Sequence, residues 1–137
     1  MIITLIAVSK LKDPHLKTIC EFYLDRIKSF QPIILKEIAS ADDLLQIKEL
    51  ILLDEKGAQM TSVEFAKLLQ QQQNRGISSL TFAIGDAEGW PQTLKEKGYK
   101  TLSLSSMTMQ HDIARLVFLE QLYRALSLLK GHPYHRA

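Results

Sequence analysis

The stretch GHPYHR (131–136) crowds four chemically capable side chains together. His132 and His135 can move protons, Tyr134 can stack or hydrogen-bond, and Arg136 can hold an anion or a carbonyl oxygen. They follow the most apolar helical run of the chain, which Gly131 and Pro133 bring to a stop. A frayed, solvated terminus is the ordinary reading of such a tail. Metal binding is disfavoured, because the two histidines flank Pro133 with no cysteine or partner carboxylate near them.

Two other stretches could serve a ligand. IGDAEG (84–89) puts Gly85 at the end of an apolar run and Gly89 four residues on, which permits close backbone approach. It is neither a dinucleotide fingerprint nor a phosphate loop, and taken by itself it reads more readily as a tight strand-to-helix turn than as a binding loop. LSSMTMQH (104–111) lacks glycine and proline and carries two methionines. It could wrap an adenine or a thioether with backbone amides, or be a plain strand end. No GxSxG or Cys/His pair signals covalent hydrolysis. Asp54 ends an apolar run as a phosphoacceptor would, but SKLK stands where that chemistry needs acidic residues. Cys20 falls in the helical series Leu16, Ile19, Cys20, Tyr23, Ile27 and reads as a buried structural thiol in a reducing compartment.

The elements that must position these residues belong to one domain spanning 1–137. The chain is long enough for a real core and too short for two, and its 46% apolar and 23% charged content is that of a globular protein. A net charge of +2 permits an RNA partner without demanding one. The apolar opening MIITLIAVSK is brief and lacks a basic leader, so it reads as a strand rather than a signal peptide or membrane span, and a cytoplasmic location is expected.

Apolar runs predict strands at 2–8, 32–38, 50–54, 79–85 and 101–105. Helical spacing predicts helices over 14–30, capped by Asp13 with Pro14 at its first position, from Thr61 or Ser62 to Gly76, and over 112–130. Short helices are expected in 40–49, capped by Ser40, and in WPQTLKEKG, with EKGAQ (55–59) as a loop. This alternation predicts an α/β fold, a mostly parallel sheet flanked by helices. In such sheets ligands bind beyond the carboxyl ends of strands, which selects the loop after Leu53 and Asp54, GDAEG after Ile84, and LSSMTMQH after the fifth strand. The last helix carries more apolar residues than one sheet contact needs, so a second face is buried either in a subunit interface or within the chain.

Taken together, LIAVSK, FYLDRI, LLDEKG…TSVEFA, FAIG…EG and LSLSSMTMQHDIARLVFLEQLYRA…HPYHR resemble the small SPOUT-class methyltransferases that modify a pseudouridine of 23S ribosomal RNA, the RlmH type. The resemblance runs over nearly the whole chain. It implies a SPOUT fold with a C-terminal trefoil knot, S-adenosyl-L-methionine as cofactor, a homodimer, and methylation of N3 of the base in ribosomal RNA or an assembled ribosome, without metal or membrane. By position it assigns the cofactor to Leu53, Gly85, Leu104, Ser105, Ser106, Met107, Thr108 and Met109. Because N3 is a weak acid that must lose its proton for that transfer, the tail is expected to carry catalysis: His135 accepts or orients the N3 proton, Arg136 holds a phosphate or a base carbonyl oxygen, and Tyr134 stacks on or positions the nucleotide. His111, Arg115 and Arg124 are further candidates for RNA contact. Two features depart from the pattern. Asp86 and Ala87 replace an expected glycine and proline, and the segment ASADDLLQIKE is short. The alternative from another class is a catalytically inactive dimeric ribosome- or RNA-binding module, and a further one is the same class of methyltransferase acting on another RNA base.

Overall fold

The computed structural model describes residues 1–136. Five parallel strands, β1 (Ile2–Ala7), β2 (Ile33–Glu37), β3 (Leu50–Gln59), β4 (Ser79–Ile84) and β5 (Lys100–Ser103), form one sheet in the order β2-β1-β4-β3-β5. The helices are α1 (Pro14–Lys28), α2 (Ser62–Asn74), α3 (Gln92–Lys95) and α4 (His111–Leu129), with a 3₁₀ turn at Ala41–Leu44. The three most apolar strands, β1, β3 and β4, hold the central places, where both faces are covered.

One face packs on α1, α2 and α4, with Leu5, Phe82, Phe65 and Phe118 at the heart of that core. The opposite face is covered by the 3₁₀ turn and α3, through Leu44, Leu94 and Trp90 against Ile6, Leu52 and Ala83. The expected caps form. Asp13 accepts from the His15 and Leu16 amides, Ser40 from the Asp42 amide, and Thr61 makes a reciprocal capping box with Glu64.

The surplus of apolar residues in α4 is explained chiefly within the chain. Phe118, Leu119, Leu122 and Ala125 are fully enclosed where α4 lies among α1, α2 and the sheet, while Ile113 stays exposed. Cys20 is buried against the same layer, and its desolvation pushes the thiol pKa up despite the Arg115 charge, as suits a structural residue. Among the described residues no helix is long and apolar enough to cross a membrane.

The structure corrects one local expectation. EKGAQ is not simply a loop: β3 pairs with β5 at Leu53, leaves the ladder, and returns at Ala58, with both residues opposite Leu102. Residues 54–57 form the excursion between them. Gly57 lets it return, since a Cβ there would lie 2.8 Å from Thr101 Cβ and 2.9 Å from the Leu102 amide nitrogen.

Candidate functional site

The three loops selected by the strand-end rule converge. Together they line a cleft of about 620 Å³ at the carboxyl edge of β3, β4 and β5. Leu53 contributes from β3 where its excursion begins, Gly85 from just after β4, and Leu104, Ser105, Met107, Thr108 and Met109 from the loop after β5. Ser106 lies in the same loop but does not line the cleft. Met107 is 78% exposed, an apolar side chain held in solvent at the cleft mouth. Asp54, Glu55, Asp86 and Glu88 lend the cleft negative charge, with Lys56 and Lys95 also in its lining.

Each loop is held by its own hydrogen bonds. Ser103 Oγ donates to the carbonyls of Glu55 (3.1 Å) and Ser105 (2.9 Å), tying the β3 excursion to the loop after β5. Ser105 Oγ in turn accepts from the Met107 amide at 3.0 Å. Gln110 Oε1 accepts from the Asp112 and Ile113 amides and so caps α4, placing His111 at the cleft.

The Asp86-Ala87 departure has a local account. The Asp86 carboxylate accepts the Glu88 amide at 3.0 Å and its carbonyl accepts the Gly89 amide at 3.1 Å, closing a tight turn. Gly89 then adopts φ +75°, where a side chain would be strained. Trp90 follows, with its indole facing Gly85, where an added Cβ would stand 3.4 Å from the ring. Its Nε1 donates to the Leu53 carbonyl at 2.8 Å. Sequence reasoning passed over Trp90, though a buried indole beside a glycine loop is a signal that could have been weighed.

The tail lies elsewhere. The Tyr134 hydroxyl donates to Glu120 Oε1 (3.1 Å), stands 3.5 Å from the Tyr23 hydroxyl, and its ring packs edge-on against Tyr123 with centroids 4.6 Å apart. Burial first, then the Tyr23 hydrogen bond and the Glu120 charge, push its phenol pKa far up, so Tyr134 stays neutral and is no proton acceptor. The Arg124 guanidinium sits 4.9 Å from the Tyr134 ring centroid and reaches His135 Nδ1 at 3.3 Å. The tail folds back along α4: Tyr134 meets Glu120 midway along the helix and His135 meets Arg124 in its second half, whereas the cleft takes His111 and Ala114 from the first turn. From Ala114 the helix rises about 9 Å to Glu120 and about 15 Å to Arg124, and none of the described tail residues lines the cleft. Tyr134, His135 and Arg136 are therefore not brought to the cleft of their own chain.

Arg115 does not serve as an RNA contact in this chain. It is 2% exposed, with Nη1 on Glu37 Oε2 at 2.8 Å and Nη2 on the Ser9 carbonyl at 3.2 Å. Glu37 Oε2 also accepts the Leu11 amide at 2.8 Å, so this network fastens the loop after β1 to β2 and α4. No cluster of three or more metal-ligating residues occurs among the described residues.

The family model described as "Predicted SPOUT methyltransferase" matches residues 1–135. A protein of Koribacter versatilis named ribosomal RNA large subunit methyltransferase H is 37% identical over 136 residues, covering 93% of each chain. One of the same name from Coprothermobacter proteolyticus is 38% identical over 139 residues, covering 99% of this chain and 100% of that one. A solved methyltransferase of Legionella pneumophila, in complex with its cofactor S-adenosylmethionine, shares the fold at a TM-score of 0.53 and 13% identity over 90% of this chain and 66% of that one. With the sheet order and the loop cleft already in place, these likenesses put the chain in the SPOUT methyltransferase family, with relatives named ribosomal RNA large subunit methyltransferase H.

Proposed function

We propose that the chain is an S-adenosyl-L-methionine-dependent methyltransferase that methylates N3 of a pseudouridine in 23S ribosomal RNA. The observation that carries this reading is the convergence of the β3 excursion and the loops after β4 and β5 on one cleft, in a chain of this family. The cleft fits the cofactor in size. Gly85 allows close approach, and the carboxylates of Asp54, Glu55, Asp86 and Glu88 complement a ligand bearing sulfonium and ammonium charges. When bound, the cofactor supplies an electrophilic methyl group on sulfur.

On this reading Leu53, Gly85, Leu104, Ser105, Met107, Thr108 and Met109 hold the cofactor, and Ser106 supports their loop from outside the cleft. The tail presents His135 and Arg136 to the base and its phosphate, with Tyr134 as a neutral anchor for both. Because none of the described tail residues lines the cleft of its own chain, the tail serves the cleft of a second subunit in a homodimer. Ile113, exposed beside the cleft end of α4, is part of the surface available to that subunit. The segment after β5 is threaded as the family's trefoil knot. The substrate is ribosomal RNA, presented naked or in the assembled ribosome, and the enzyme works in the cytoplasm.

Methyl transfer from labelled cofactor to ribosomes, naked ribosomal RNA and tRNA, followed by mass mapping of the product, tests the reading. Product at N3 of one pseudouridine is expected. Transfer to tRNA alone assigns another base, and no cofactor binding by calorimetry at millimolar concentration assigns an inactive RNA-binding module.

A further inference from the structure

Arg124 stands between Glu120 and the tail. Its Nε donates to Glu120 Oε1 at 3.0 Å, its Nη2 donates to the same oxygen, and its Nη1 faces His135 Nδ1 at 3.3 Å. Glu120 and Arg124 are one turn apart on α4, and the Tyr134 hydroxyl also donates to Glu120 Oε1. The guanidinium is thus fixed on a rigid helix with one N–H edge turned toward the imidazole.

A guanidinium has N–H donors and no acceptor, and it keeps its charge in proteins. The imidazole nitrogen facing it must therefore be the acceptor. A neutral imidazole has one ring hydrogen for two nitrogens, so that hydrogen is on Nε2. From this geometry we infer that Arg124 is a positioning residue that holds neutral His135 in its Nε2–H tautomer, so that the ring donates a hydrogen bond to the pyrimidine rather than taking its N3 proton. The inference rests on the methyl-transfer reading and refines the role of His135 within it.

The chemistry balances without a basic histidine. N3 gives its proton to a solvent water or hydroxide, and its electron pair forms the new N–C bond, while the pair of the broken S–C bond stays on sulfur. Between those events negative charge spreads from N3 to the flanking carbonyl oxygens. A preset Nε2–H on one of those oxygens stabilises that charge where it develops. Taking a proton instead would require Nδ1, which would turn N–H against N–H and place two cations in contact.

Long-range proton–nitrogen correlation spectra of the full-length ¹⁵N-labelled protein at about pH 8, above the ordinary imidazole value, read the tautomer directly. His135→Gln identifies the signal. The wild-type spectrum should show His135 as Nε2–H. Arg124→Met should shift it toward a mixture of tautomers and lower kcat on the order of 10-fold with cofactor affinity unchanged, and Arg124→Lys, which keeps a donor, should recover part of the loss. A wild-type His135 that is Nδ1–H or doubly protonated overturns the inference, as does a tautomer that Arg124→Met leaves unmoved. These spectra need no turnover, so an inactive wild-type protein would sink the methyl-transfer reading and leave the tautomer to be judged separately.

Discussion

The indole Nε1 of Trp90 and the carbonyl of Leu53, 37 residues apart in the chain, meet in a 2.8 Å hydrogen bond that is buried. The bond ties the start of the β3 excursion to the turn after β4, the two places where the cleft takes Leu53 and Gly85. Trp90→Phe keeps a ring under Gly85 but leaves the Leu53 carbonyl without its partner, at a cost of about 1–3 kcal/mol. Cofactor affinity by calorimetry should weaken several-fold while the melting temperature drops modestly. Unchanged affinity would mean that the latch is not needed to shape the cleft.

Gly57→Ala should damage the site through the sheet. Its new Cβ would lie 2.8 Å from the Thr101 side chain and 2.9 Å from a backbone nitrogen of β5, so strand rather than rotamer must move. Overpacking of this kind costs about 1–3 kcal/mol. Chemical denaturation should register that loss, and cofactor binding should suffer with it because β5 carries the loop of Met107 and Met109. A variant as stable as the wild type would show that the excursion of β3 relaxes freely.

The Glu37 carboxyl has a pH signature. Its partial burial pushes the pKa up, but the Leu11 amide and the hydrogen bond and charge of Arg115 outweigh that and hold it below the ordinary value of 4.5. A carboxylate depressed on folding adds stability that is present above its unfolded value and is lost as pH falls through the folded one. Glu37→Gln should therefore be less stable than the wild type at neutral pH, with the gap narrowing below about pH 4.5. Melting curves across that range measure it, and a gap independent of pH would contradict the assignment.

His135→Ala should retain cofactor binding and lose methyl transfer by roughly 100-fold. Mixing it with Gly85→Val, whose side chain would press on the Trp90 ring, tests sharing between subunits. If the tail serves the partner, equal mixing should restore about a quarter of the wild-type sites, one of two in the half of the dimers that are mixed. No recovery would return the tail to its own chain.

The apolar runs at 2–8, 50–54 and 79–85 were enough to read the central strands, because a strand covered on both faces must be apolar throughout. The strand-end rule then found the cleft, since parallel topology fixes where loops gather whatever their sequence. Other features escaped local reading. Ala58 and Gln59 rejoin β5 by backbone pairing, so their side chains carry no strand pattern. The acceptor of Trp90 is a backbone carbonyl, which has no letter in the sequence. Arg115 looked available to RNA because a charge among apolar helical residues is equally consistent with a solvated face and a buried ion pair, and Glu37, 78 residues away, decides between them. The place of the tail could not be read from its letters, since it is set by the Tyr134 contacts with Glu120, midway along α4, and with Tyr23 on α1.

β5 is only four residues long and has a neighbour on one side alone. A brief parting from β3 would release the loop of Leu104 to Met109 while β2, β1 and β4 stay joined. Openings of that kind cost less than global unfolding. Such an opening would leave a folded form that is blind to its ligand, and on warming the binding capacity should vanish several degrees before the helical circular dichroism does.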